Sequence, residues 1–182
     1  MQAPDRYATR AVLVHWLTAL LVLSALPLGF YMSGLPLSPT KLQLISYHKW
    51  LGVTVLLLFL PRLLFRLTRP VPSPVESAPL WQRKVATITH GLLYALMFAV
   101  PLSGWLMSSA KGFPVVYLGV LPLPDLVGKD QALGDFFKAA HEALTFGLLT
   151  LVGLHVAAAL KHHVIDRDET LVRMVPVLKR SN

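Results

Sequence analysis

Five of the seven histidines, His15, His48, His90, His141 and His155, lie within long apolar stretches and away from their ends. An ionisable side chain at such depth is costly and usually functional. The chain has no cysteine, which excludes disulfides, thiolate zinc sites, iron–sulfur clusters and covalent c-type haem attachment. A redox centre must therefore hang on histidine or methionine. His141 and His155 are 14 residues apart, which on a helix is about 21 Å and only some 40° short of four full turns. One face of one helix thus offers an imidazole at each of two levels.

The elements that position these residues follow from the apolar runs. Of 182 residues, 54% are apolar and 14% charged, and the mean hydropathy is +0.58. Residues 11–40 and 85–110 contain no Asp, Glu, Lys or Arg, and each run exceeds the roughly 20 residues needed to cross a bilayer. The pattern predicts four spans, at residues 9–33, 41–68, 83–110 and 135–163, in one transmembrane unit covering residues 1–182. The runs are continuously apolar rather than alternating, which argues against a β-barrel. The small residues of the fourth span suit close approach of a helix backbone or a flat ring. Arg6 and Arg10 precede the first run as they would in a secretory leader, but the run is too long and lacks a small-x-small cleavage site.

An even number of spans puts both termini on one side. That side carries twelve of the seventeen Lys and Arg residues, the other only Lys41, Lys49, Lys111, Lys129 and Lys138. The termini are therefore expected in the cytoplasm. The net charge of +8 is explained by residues flanking apolar runs, not by a basic stripe with interleaved aromatics, so nucleic acid is not an expected partner. The Pro-rich segment 70–79 is expected to be a short, stiff connection. The longest connection, 111–134, contains an apolar segment, 113–123, which suits either the interface plane or a plain loop.

With this orientation the histidines fall into two layers. His15 follows Arg10 by five residues, about 7.5 Å into the membrane, and His155 precedes Lys161 by six, at the same depth. On the outer side His48 follows Lys41 by seven residues and His141 follows Asp135 by six. Two porphyrins stacked across a bilayer need this arrangement, each iron taking one imidazole from the shared helix and one from a facing helix. Bis-histidine ligation leaves no open iron position, which favours electron transfer over oxygen binding. The expected fold is an all-α, four-helix integral membrane bundle with two b-type haems stacked across the bilayer.

His90 lies at the inner layer and competes with His15 as partner of His155. Periodicity does not choose between them; with His15 preferred, His90 becomes a core histidine or part of a pocket beside the inner haem. His162 shares a face with His155 just below it, as an interfacial basic residue or as part of that pocket. Arg62, Arg66 and Arg69 line one face of the inner end of the second helix, where arginines snorkel to lipid phosphates or pair with a haem propionate. Lys49 and Lys111 on the outer side are either solvated interfacial lysines or charges that draw an anion towards the outer haem edge.

His15-Trp16, His48 followed by Gly52, the 62–66 arginines, His141-Glu142, the run 153–163 and the tail 170–176 together resemble the bacterial cytochrome b561 family, four-helix di-haem proteins of the inner membrane, over nearly the whole chain. The resemblance implies that His15 and His155 hold the cytoplasmic haem and His48 and His141 the periplasmic one. It also implies quinone chemistry near the inner haem. Some members are superoxide oxidases that pass electrons from superoxide to ubiquinone, and others serve partner dehydrogenases or hydrogenases. Two functions follow as expectations: a superoxide:quinone oxidoreductase in the inner membrane, with His162 and His90 as candidate proton donors, or an electron-transfer subunit whose dehydrogenase docks on the outer loop. A haem-free transporter or metal-ion protein using the same histidines is the third alternative.

Overall fold

The computed structural model describes residues 7–69, 72 and 79–178. Four helices carry the architecture: α1 (Thr9–Ser33), α2 (Pro39–Thr68), α3 (Leu80–Ala110) and α4 (Gln131–Lys161). By length and composition all four are capable of crossing a membrane. α2, α3 and α4 start before the predicted spans at 41, 83 and 135, because a helix begins at its cap and not at its last flanking charge. Ser38 accepts from the Lys41 amide at 3.2 Å with Pro39 in the first turn, and Asp130 accepts from the Leu133 amide at 2.9 Å. Such side-chain acceptors satisfy donors that the first turn leaves unpaired. α3 follows directly on Pro79. The segment 70–79 falls outside the described residues apart from Pro72 and Pro79.

Chain neighbours α1 and α2, α2 and α3, and α3 and α4 pack against one another. α4 meets α1 and α2 chiefly through side chains, His15 against His155, His48 against His141 and Phe30 against Phe146. Between the two histidine levels lies a small apolar core of Val22, Leu26, Val55 and Leu148. Leu148 stands seven residues from each of His141 and His155, so this layer separates the levels. Few side chains are buried, and the outward faces carry large apolar groups such as Leu13, Leu20, Leu60 and Leu154, each more than half exposed. A hydrocarbon surround removes the cost that water would impose on such a surface.

The connection between α3 and α4 has regular structure of its own. It contains a β-hairpin of β1 (Val116–Tyr117) and β2 (Leu121–Pro122), paired antiparallel. The turn uses Leu118 and Gly119 at φ of 53° and 76°, and glycine takes the left-handed region without a Cβ penalty. The hairpin and its flanks are clamped to α2 and α3: Trp50 Nε1 donates to Val116 O at 2.7 Å, Trp105 Nε1 to Pro124 O at 3.2 Å and Ser108 Oγ to Phe113 O at 2.6 Å. At the other end of the bundle α4 runs into one π-helical turn, His162–Asp166, closed by Arg167 in the left-handed region at φ 55°. The following tail folds back so that Trp16 Nε1 donates to Met174 O at 2.9 Å. Trp16→Phe should remove about 1 kcal/mol of anchoring and speed proteolytic cleavage of the tail while the helices stay intact, as read by limited proteolysis with mass spectrometry.

Candidate functional site

At the outer end, α2 and α4 bring His48 and His141 together with ring centres 6.2 Å apart and planes nearly perpendicular, at 89°. His48 Nδ1 donates to Ala25 O at 3.1 Å and His141 Nδ1 to Val100 O at 2.9 Å, with Ser103 Oγ 3.1 Å from the same His141 nitrogen. A carbonyl accepts only, so Nδ1 carries the proton in both rings and each Nε2 lone pair is free. This is the arrangement that orients histidines as metal ligands. Two glycines make room for it. A Cβ at Gly29 would lie 3.0 Å from His48 Cε1, and one at Gly104 would lie 3.0 Å from His141 Cε1.

Beside the pair is a cleft of about 440 Å³, mouth included, lined by His48, Lys49, Gly52, Pro101, Trp105 and His141 among others. Lys49 Nζ donates to Phe113 O and Pro114 O, both at 3.2 Å, so the ammonium stands at the mouth under the hairpin. Lys111 is not in this wall. It is ion-paired to Asp135 at 3.0 Å, which largely cancels its charge locally.

At the inner end three imidazoles gather. His15 and His155 have ring centres 6.3 Å apart, and His90 stands 5.3 Å from His155. A metal held at about 2.0 Å from one nitrogen of each of two imidazoles, with each nitrogen roughly 1.1 Å from its ring centre, sets the centres about 6 Å apart. Both His48–His141 and His15–His155 match that spacing, whereas His90–His155 is too close. The residues present therefore fit two bis-imidazole centres, one at each end of α4.

Arg62 Nη2 lies 2.8 Å from His15 Nδ1, and its guanidinium carbon stands 5.5 Å from the centre of the Tyr94 ring. Arg62, Arg66, Arg69, Tyr7, His15 and Met174 share an inner cleft of about 490 Å³, mouth included, whose lining has three arginines and, among the described residues, no carboxylate. His162 donates from Nδ1 to Asp168 at 2.6 Å, with Asp166 at 3.2 Å. Burial pushes Asp168 up, but hydrogen bonds from Thr170 and His162 outweigh it and hold this carboxyl below its ordinary value.

Gly29, Gly104, Ser103 and Asp168 are site residues that sequence spacing did not single out. The two glycines had a signal, a residue without a side chain amid large apolar ones. Nothing in the sequence pairs either of them with a particular histidine.

An all-α bundle of four membrane-length helices, with imidazoles paired at both ends of one helix, is the architecture of a multi-pass membrane cytochrome. The chain belongs to the prokaryotic cytochrome b561 family, which it matches over residues 6–177. It is 34% identical over 173 residues to cytochrome b561 homolog 2 of Escherichia coli K12, covering 94% of this chain and 92% of that protein. It is 32% identical over 176 residues to homolog 1 of the same organism, covering 94% and 98%. A protein of Yersinia pestis named probable superoxide oxidase CybB is 29% identical over 178 residues, covering 94% and 96%. Family membership implies b-type haem and an oxidoreductase role in electron transport, and leaves no place for a haem-free transporter.

Proposed function

We propose that this chain is a di-haem superoxide:quinone oxidoreductase of the bacterial inner membrane, with both termini in the cytoplasm. His48 and His141 hold the outer haem, and His15 and His155 the inner one. The observation that carries this is the equal ring-centre spacing of the two pairs, 6.2 and 6.3 Å, at opposite ends of α4. The likeness to a protein named probable superoxide oxidase supports the choice of donor. Bound haem supplies a one-electron couple at each end, which suits the chemistry: two superoxide anions each lose one electron and leave as dioxygen, while a quinone gains two electrons and two protons.

The side chains position, attract and hold protons. The carbonyls of Ala25 and Val100 fix the outer tautomers. Lys49 adds positive charge at the outer mouth, where an anion arrives; Lys111 contributes little, being paired. At the inner end Asp168 fixes the proton on His162 Nδ1, so that Nε2 is the atom that takes a proton from the cytoplasm and passes it to quinone oxygen. His90 lines the inner haem site without ligating.

Purified protein in ubiquinone-containing vesicles, supplied with enzymatically generated superoxide, tests this directly. Quinol is expected to form at about one per two superoxide consumed, with no other protein present. Reduction only on addition of a dehydrogenase or hydrogenase subunit would transfer the function to the second reading, an electron-transfer subunit. The observation favouring that reading is the apolar hairpin surface, where Val120 is 81% and Phe113 60% exposed. Lys49→Gln is expected to lower the superoxide-dependent rate several-fold at low salt and to flatten its dependence on ionic strength, measured by stopped flow.

A further inference from the structure

The two ends of the bundle treat their imidazoles oppositely. The outer rings donate from Nδ1 to neutral carbonyl oxygens, of Ala25 and Val100. That contact makes a ligand more electron-rich and stabilises an oxidised metal. At the inner end the neighbour of His15 Nδ1 is a guanidinium, at 2.8 Å. Arginine is always charged and only donates, so here Nδ1 is the acceptor.

Were His15 to hold a metal through Nε2, Nδ1 would carry the proton and Arg62 would give up that contact. Its buried Nε already has no hydrogen-bond partner among the described residues. The released Nη2 and this Nε would then be donors available to hold a carboxylate of the cofactor. In either position a positive charge stays at the inner centre, in a cleft with two more arginines and no carboxylate among the described lining residues. A nearby cation disfavours the oxidised, more positive state of a metal centre, and does so most strongly where water is excluded. At the outer end Lys49 stands at the exposed mouth, hydrogen-bonded to loop carbonyls, where solvent and salt screen it.

We infer that Arg62 is a positioning residue that sets the redox balance between the two centres, raising the inner potential relative to the outer and so drawing electrons inward. This rests on the proposed ligand pairs. The test is optical and EPR-monitored potentiometry of the purified two-haem protein, its Arg62→Met and Arg62→Lys variants, and His15→Ala.

In Arg62→Met the inner potential should fall relative to the outer, changing electron partition between the centres at least tenfold, about 59 mV for a one-electron couple. The outer potential should stay in place. Arg62→Lys should recover at least half of the shift. An inner potential that does not move in Arg62→Met, or an equal movement of both centres, overturns the inference. Should Arg62→Met fail to load inner haem, Arg62→Lys decides: retained charge must keep partition within about threefold of wild type, and a larger fall overturns the inference. His15→Ala addresses the ligand pairs separately. If it keeps both low-spin haems, the assignment of His15 fails, while the Arg62 shift is still read on its own.

Discussion

His141→Ala is expected to yield protein with half the haem of the wild type, the inner low-spin signal intact and the outer one gone. His141 and His155 serve different ends of the same helix, with the Val22, Leu26, Val55 and Leu148 layer between them. Loss of one imidazole therefore leaves the other pair untouched, and superoxide-dependent quinone reduction should fall at least a hundredfold. The pyridine haemochrome count and the EPR spectrum check this outcome. Loss of both haems, or of neither, would remove the pairing of His48 with His141.

Gly104→Val is expected to have nearly the same spectroscopic effect without touching a ligand. A Cβ at this position would lie 3.0 Å from His141 Cε1 and 3.2 Å from Nδ1. The ring cannot retreat without giving up its 2.9 Å hydrogen bond to Val100 O. Overpacking of this kind typically costs about 1–3 kcal/mol, and here the strain falls on the orientation of a proposed ligand. Outer haem should be lost or turn high-spin in Gly104→Val, while Gly104→Ala should keep it with a shifted EPR signal. A Val variant with wild-type spectra at both centres would show that α3 yields more easily than the ring.

These outcomes bear on how the membrane is crossed. α4 is the only helix expected to contribute a ligand at both ends, and its contacts to α1 and α2 run chiefly through side chains. The space between those helices is bounded by the paired imidazoles, by Phe30 against Phe146 and by the layer of Val22, Leu26, Val55 and Leu148. The same economy makes α4 the element on which damage should be most severe: any change that rotates it displaces both pairs together.

Much was legible in the sequence because the bilayer is a demanding solvent. It forces every span to be long and apolar, biases the flanking charges and makes an embedded histidine conspicuous. Helix periodicity then put His141 and His155 on one face, and counting from the flanking charges put His15 and His48 level with them. Periodicity along one helix carries no information about distance between helices, so it could not choose between His15 and His90; the ring spacings of 6.3 and 5.3 Å are what support His15 as the proposed ligand. The same holds for Arg62 against His15, for the glycines behind the outer rings, and for the hairpin clamped by Trp50 and Trp105. Depth and face are one-dimensional properties that hydropathy and charge write into the chain. Which side chains touch across the bundle was decided by packing alone.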